Sequence, residues 1–259
     1  MSRRKGRRTS ARGKTLYYVI GGVAIVAIVG FIFASAGLGH GEGAASQSSS
    51  SGTGSASSSV STTPSSPKTV ILYVNQGNGA VNESNFSALL YTANADGFNT
   101  IFFQVYRSGT LLFDTGSLEQ FVASAHADQL QIFFALYFTN ATQTIPTAIY
   151  SDGEDGINLD MSTLPLAAQT SLFDQLSSSY SGKTAITTDD FSLSLKPDLL
   201  VFETYSPADQ QYIRPGIIAG VEVSQGETTQ QYDQQLQYAL SNSSGVMVFD
   251  YDHLVKYGV

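Results

Sequence analysis

Residues 131–138, Gln131-Ile132-Phe133-Phe134-Ala135-Leu136-Tyr137-Phe138, are nearly continuous in apolar side chains, and so are residues 100–106, Thr100-Ile101-Phe102-Phe103-Gln104-Val105-Tyr106. A strand with one wet face alternates apolar and polar residues. A strand buried on both faces does not, and runs of this kind mark a parallel sheet covered on both sides. Six more strand-like runs lie at Thr69 to Val74, Gly156 to Asp160, Thr184 to Thr188, Leu199 to Tyr205, Gly216 to Val223 and Gly245 to Asp250. Amphipathic stretches between them predict helices over Glu83 to Ala95, Ser117 to Gln129, Leu166 to Ser179 and Thr229 to Ser241. Thr115-Gly116-Ser117 with Glu119 supplies a capping signal for the second helix. The connections after the third, fifth and sixth runs are too short for long helices.

Eight βα units within residues 68–259 describe a compact (β/α)8 barrel of the TIM type, just under the ~200 residues at the low end of that fold's size range. An open doubly wound sheet is the alternative. No Gly-x-Gly-x-x-Gly or Walker pattern follows the first run, where residues 75–79, Asn-Gln-Gly-Asn-Gly, form only a glycine-containing turn. Nucleotide binding therefore has little to rest on.

The N-terminus is of another kind. Residues 1–15 carry Arg3, Arg4, Lys5, Arg7, Arg8, Arg12 and Lys14 and no acid, and an uncharged apolar run from Leu16 to Leu38 follows. At ~1.5 Å per residue this run reaches roughly 34 Å, enough for a hydrocarbon core of about 30 Å. We expect a cytoplasmic tail (1–15), a transmembrane signal anchor (16–38) and export of everything beyond it, with the basic cluster held inside. Ala34-Ser35-Ala36 has the form of a signal-peptidase site, so a cleaved signal peptide is the rival; its apolar core usually runs only ~7 to 15 residues. Residues 39–67 are almost wholly Ser, Gly, Ala and Thr, a composition that buries too little apolar surface to fold, and read as a disordered stalk.

Charge divides along the chain. Residues 1–60 hold seven basic residues and one acid, a net of +6; residues 61–259 hold six basic and twenty acidic residues, a net of −14; together they give −8. An acidic domain repels nucleic acid, which excludes it as an expected partner. There is no cysteine, and there are only three histidines. No disulfide, thiol nucleophile or metal site is implied, and no cofactor. Asn-x-Ser/Thr sequons at Asn82, Asn85, Asn140 and Asn242 suit N-glycosylation of an exported glycoprotein.

In a barrel of this kind the C-terminal strand ends and the loops after them build the active site. Those ends supply Asn75, Gln104, Tyr137, Asp160, Asp189 with Asp190, Glu203 with Tyr205, Glu222, and Asp250 with Asp252. Carboxylates, amides and tyrosines without clustered histidine or cysteine suit a sugar-hydrolysing cleft better than a metal or nucleotide site.

Five ordered stretches carry a resemblance. Residues 97–105, Gly-Phe-Asn-Thr-Ile-Phe-Phe-Gln-Val, are followed by Gly109 and Phe113; Ala125-His126 closes the next helix; residues 155–160 read Asp-Gly-Ile-Asn-Leu-Asp, with Pro165 beyond; then come Asp198 to Tyr205 and Gly245 to Asp250. Together they resemble the glycoside-hydrolase-like TIM barrels and, more distantly, the chitinase-type barrels. Three departures stand out. Where the chitinase type places its acid, two positions after the last Asp, this chain has Ser162. Where the closer family has Tyr-x-Arg after that Asp, this chain has Met161-Ser162-Thr163-Leu164, and Arg107 stands one residue later than the family's arginine.

The residues themselves suggest a two-carboxylate hydrolysis, which needs carboxyls about 5 to 5.5 Å apart for retention or about 6.5 to 9.5 Å for inversion. Asp160 is expected as nucleophile or base and Glu203 as proton donor, with Glu222 able to replace Glu203. Asn75, Gln104, Tyr137, Tyr205, Glu222 and Asp250 are expected to line the substrate cleft. The competing structural reading is that these acids cap loops or pair with Arg107, Lys183 or Arg214, that Asp155 is a turn or cap residue beside Gly156, and that His126 is structural. His40 and His253 have no visible partner in the sequence. Tyr137, Tyr205 and Phe249 offer faces for sugar rings or for packing. Two functions follow: a membrane-anchored extracellular glycoside hydrolase acting on polysaccharide, or a non-catalytic glycan-binding or envelope-organising module on a degenerate barrel.

Overall fold

Eight parallel strands close into a ring: β1 (Thr69–Val74), β2 (Thr100–Arg107), β4 (Gln131–Tyr137), β5 (Gly156–Asp160), β6 (Lys183–Thr188), β7 (Leu199–Glu203), β8 (Ile218–Glu222) and β9 (Gly245–Phe249). β1 pairs in parallel with β2 on one side and β9 on the other, which rules out the open sheet. The two-residue β3 (Thr110–Leu111) is a small antiparallel flap on β2. The computed structural model describes residues 68–76, 81–150, 153–222, 228–251 and 253–254. The tail (1–15), membrane span (16–38) and stalk (39–67) expected from the sequence lie outside the described residues. Among the described residues no helix is long and apolar enough to cross a membrane.

Among the described residues four α-helices cover the ring: α1 (Phe86–Ala95), α2 (Thr115–Ala127), α3 (Leu166–Ser179) and α4 (Thr229–Asn242). The helix bounds differ from expectation at four ends, with α2 closing two residues early at Ala127 and α4 running one residue further to Asn242. Residues 83–85 form a 3-10 turn before α1. α2 starts two residues early because Asp114, rather than the Thr115–Ser117 stretch, caps it, its carboxylate accepting from Ser117 N at 3.0 Å. α1 and α2 both stop in the same way: Phe98 N and Leu130 N reach back to Ala93 O and Ala125 O, with Gly97 at φ 78 and Gln129 at φ 62. This C-terminal motif turns the chain straight into the next strand.

After β4, β6 and β7 no α-helix forms among the described residues; Thr147–Ile149 and Pro207–Tyr212 are 3-10 turns. Aromatic packing covers β7 in place of a helix. Phe191 stacks on Tyr212 with centroids 4.0 Å apart and meets Phe202 edge-on at 5.3 Å, while Arg214 lies over the Phe202 ring at 5.7 Å.

The outward rows pack under the helices as one large core. The inward rows form a second core from Ile71, Tyr73, Phe102, Phe133, Ala135, Ala185, Val201, Ile218 and Met247. Large rings beside small residues fill the bore, as interdigitating layers require. Gly156 shows how tightly: a Cβ there would be driven into the Phe133 ring and the Lys183 carbonyl.

Polar residues just ahead of three strands pin the N-terminal end of the barrel. Asn99 accepts from Val70 N at 3.0 Å and donates to Lys68 O at 2.9 Å; Asp155 accepts from Ile132 N at 2.8 Å; Asp198 accepts from Thr184 N at 2.8 Å. Each grips the neighbouring strand's backbone. His126 on α2 joins Asp155 at 2.9 Å, so this histidine is structural and faces away from the strand ends.

Candidate active site

Strand registers carry the inward rows up to the C-terminal rim. Tyr137 lies beside Asp160, Asp160 beside Thr187, Glu203 beside Gly220, Glu222 beside Phe249, and Phe249 beside Tyr73. Side chains on a strand alternate faces, so these residues share the interior face on which Ile71, Phe133 and Val201 pack. The rim thus gathers the acids of β5, β7 and β8 around one mouth.

Asp160 is 4% exposed. Its Oδ2 accepts from the Tyr73 hydroxyl at 2.7 Å and its Oδ1 from Ser162 Oγ at 3.3 Å. Burial raises its pKa to about 6, against the pull of the Tyr73 and Ser162 hydrogen bonds and the Arg107 charge. Glu203, half-buried, accepts from the Tyr205 hydroxyl at 3.2 Å. Burial, then the negative charges of Asp160, Asp189 and Glu222, raise it to about 8, and the Tyr205 bond opposes them. Burial, then the charges of Asp160 and Glu203, push the Tyr73 and Tyr205 phenols well above their ordinary range, so both stay protonated donors. Near neutral pH the pair therefore holds about one proton, with Glu203 the more protonated partner. That is the asymmetry acid–base chemistry needs.

Arg107 reaches this mouth through an irregularity. β2 and β4 run in register up to Gln104 with Ala135, slip at Val105, and resume with Tyr106 beside Leu136 and Arg107 beside Tyr137. A bulge of this kind re-aims the side chains beyond it. It absorbs the one-residue offset noted in the sequence and puts Arg107 on the inward row. The guanidinium lies over the Tyr137 ring, 5.5 Å from its centroid, and donates to Asn75 Oδ1 at 3.3 Å. Gln104, 2% exposed, accepts from Gln76 N at 3.0 Å and so ties the loop after β1 to the rim.

The remaining rim residues serve differently. Asp250, 1% exposed, caps the turn after β9, accepting from His253 N at 2.9 Å. His253 is not isolated: its Nδ1 stands 3.9 Å from Glu222 Oε1 and 3.9 Å from Asp250 Oδ1. Asp190 caps its own turn through Ser192 N at 3.0 Å, and Asp189 is exposed. Asp252 lies outside the described residues. Of the partners offered by the structural reading, Arg107 acts on Asp160, whereas Arg214 covers Phe202. Among the described residues no group of three or more His, Cys, Asp and Glu side chains could hold a metal ion.

Sequence reasoning did not single out Tyr73 or Thr187. Tyr73 reads as one more apolar residue of β1, yet it is fully buried with its hydroxyl on Asp160. A tyrosine one step below a rim position, in the parity of Ile71, is the signal that could have found it. Thr187 donates to Asn158 Oδ1 at 3.1 Å beneath the rim.

Fold and rim together define a closed parallel barrel with a buried aspartate and a half-buried glutamate at its C-terminal mouth. No family model matches this sequence, and no curated protein matches it. Among solved structures it is similar to a chitinase from Bacteroides thetaiotaomicron, with 13% identity and a TM-score of 0.52 over 73% of this chain and 91% of that one. It is also similar to CpGH84B, with 8% identity and a TM-score of 0.50 over 74% of this chain and 48% of that one. The spore cortex-lytic enzyme SleL of Bacillus cereus matches at 11% identity and a TM-score of 0.49, over 73% and 74% of the two chains. At such identities the likeness is one of fold, and this chain spans about half the length of CpGH84B.

Proposed function

We propose that this chain is a membrane-anchored, extracytoplasmic glycoside-hydrolase-like protein that acts on cell-envelope or extracellular polysaccharide. The observation that carries the reading is the Asp160 and Glu203 pair, one buried and one half-buried at a single mouth and raised to about 6 and about 8. Glu203 gives its proton to the glycosidic oxygen as the C–O bond breaks. The Asp160 carboxylate then either attacks the anomeric carbon or takes a proton from the water that does. Tyr73 holds Asp160 ionised and oriented. Asn75, Tyr137, Tyr205 and Glu222 are proposed to line the sugar subsites, with the Tyr205 ring and the face of Tyr137 away from Arg107 available for stacking, while Gln104 and Asp250, 2% and 1% exposed, hold the loops behind them.

Residues 16–38 are proposed as the anchor and residues 39–67 as the stalk, with N-glycans on the sequons. Asn82, Asn140 and Asn242 are exposed; Asn85 is half-buried and accepts from Asn82 N at 2.8 Å, which makes it the least accessible of the four.

The missing tyrosine and arginine after Asp160 favour a second reading, a non-catalytic glycan-binding or envelope-organising module on the same mouth. Release of reducing sugar from a polysaccharide panel by the full chain separates the two. Asp160→Asn and Glu203→Gln are each expected to lower release by at least ~100-fold while glycan binding persists. Binding without turnover, unchanged by either substitution, would make the chain a module.

A further inference from the structure

Arg107 is the one basic residue among those described that ends a strand. Lys68 and Lys183 stand at the starts of β1 and β6, and Arg214 covers Phe202. The bulge at Val105 turns Arg107 onto the inward row, where it is half-buried. The Tyr137 ring takes one face of its guanidinium at 5.5 Å, and Asn75 Oδ1 accepts one of its N–H groups at 3.3 Å. Among the described residues it enters no ion pair. Its pull on Asp160 is weaker than that of the Tyr73 and Ser162 hydrogen bonds, so service to Asp160 does not account for it.

Charge is divided around the mouth. Arg107 on β2, Tyr137 on β4 and Asp160 on β5 follow one another in register, whereas Asp189, Glu203 and Glu222 belong to the β6 to β8 side. With neighbouring strands about 4.8 Å apart, the Arg107 and Asp160 positions are about 10 Å apart. A guanidinium held by a ring and an amide, with the rest of its N–H fork uncommitted, is suited to a planar anion bound through paired hydrogen bonds.

We propose that Arg107 is a specificity-determining residue that receives a carboxylate of the substrate, so that the glycan taken at this mouth is an acidic one, with a carboxyl-bearing sugar such as a uronic acid beside the bond that is cut. The inference rests on the mouth being a glycan site. The domain's net negative charge opposes an anion at a distance, but salt at physiological strength screens it beyond roughly 8 Å, and the choice is made at contact. The two strand spacings between Arg107 and Asp160 keep the bound carboxylate apart from the catalytic one.

Calorimetric binding of matched glycans to the full chain at pH 7.5 tests this. The probes are oligomers of galacturonate, of mannuronate and of hyaluronan, each beside its carboxyl methyl ester, which keeps the sugars and removes the charge. At least one acid is expected to bind roughly tenfold or more tightly than its ester, the scale of a charge-assisted hydrogen-bonded pair. Arg107→Gln should lose that ratio, acid and ester binding alike, and Arg107→Lys, which keeps the charge without the fork, should fall between. Damage to the fold at the bulge would weaken acid and ester together and leave the ratio standing, so the ratio separates recognition from structure. The inference is overturned if every ester binds as well as its acid, or if the ratio survives Arg107→Gln; the glycan reading then stands without it. Binding of neither acids nor esters would overturn both.

Discussion

The Tyr73 hydroxyl donates to Asp160 Oδ2 across 2.7 Å of barrel interior, and both groups are almost wholly shut away from water. A carboxyl in that setting is neutralised unless something offsets the cost of its charge, and this bond is the strongest of the forces doing so. Tyr73→Phe keeps the ring in the bore and removes only the donor. The acid limb of any activity profile, where Asp160 must lose its proton, should move upward from about 6, with activity near pH 6 falling roughly tenfold or more. Hydrolysis rates across pH 5 to 9 on one substrate check this.

The pair itself predicts the shape of that profile. Asp160 must be ionised and Glu203 protonated, and their values of about 6 and about 8 leave a window between them. A bell with its maximum near pH 7 is expected for kcat/KM, its limbs belonging to the two carboxyls jointly. A profile flat from pH 5 to 9 would remove the pair from the chemistry.

Stability should show the same groups without any substrate. Both carboxyls, and the buried Asp96 at the end of α1, which burial raises to about 7, bind protons more tightly folded than unfolded. A raised carboxyl favours the fold fully below its unfolded value, and the advantage is lost as pH rises through the folded value. The domain should therefore weaken from about pH 4 to about pH 8. Each unit of displacement is worth ~1.4 kcal/mol, and half-burial of Glu203 discounts its share. Glu203→Gln, free of that cost, should be more stable than the unaltered chain by about 2 kcal/mol at pH 9 and by little at pH 4. Urea denaturation at the two pH values measures the difference.

Gly156 limits how the bore can be repacked. Its missing Cβ is where the Phe133 ring lies, with the Lys183 carbonyl behind it. Gly156→Ala must displace a ring buried in the second core or shift β5 against β6, at a cost of about 2 kcal/mol or more. Because Asp160 ends the same strand, a shift of β5 would disturb the rim as well. Loss of thermal stability together with a moved Asp160 titration is the expected result.

The barrel was legible because its strands are buried on both faces. The runs around Phe102 and Phe133 lack alternation, and that alone separates a parallel strand from a surface hairpin. Helix α3 emerged with its bounds intact because Pro165 and the chain turn at Tyr180 delimit it. Asp160 and Glu203 were legible as strand-terminal acids. The rest depended on contacts between distant segments that no local pattern records. Tyr73 looks like core until β5 is placed across the bore. Arg107 looks misplaced until the bulge at Val105 is seen. His253 has no partner until β8 and the turn after β9 meet. The motif around Gly97 and Asn99, read as a family signature, acts at the opposite end of the barrel from the site.

That last placement separates fold from site experimentally. Asn99 accepts from Val70 N, donates to Lys68 O, and through its own backbone links β1 to β4, from Asn99 N to Val70 O and from Gln131 N to Asn99 O, all at 2.9 to 3.0 Å. Asn99→Ala removes these two side-chain bonds, together with the one Asn99 Oδ1 accepts from Thr100 Oγ1 at 3.1 Å, and leaves the N–H of buried Val70 without its acceptor. An unsatisfied buried donor costs about 1 to 3 kcal/mol, and each further lost bond adds about 1. We expect Asn99→Ala to lower the free energy of unfolding by an amount in that range, read from urea denaturation, while leaving the titrations of Asp160 and Glu203 where they were. The strand ends that carry those acids lie a full strand length away, on the other rim. A moved titration would mean that the foot of β2 and the rim are mechanically coupled, and the division between a structural end and a chemical end would fall.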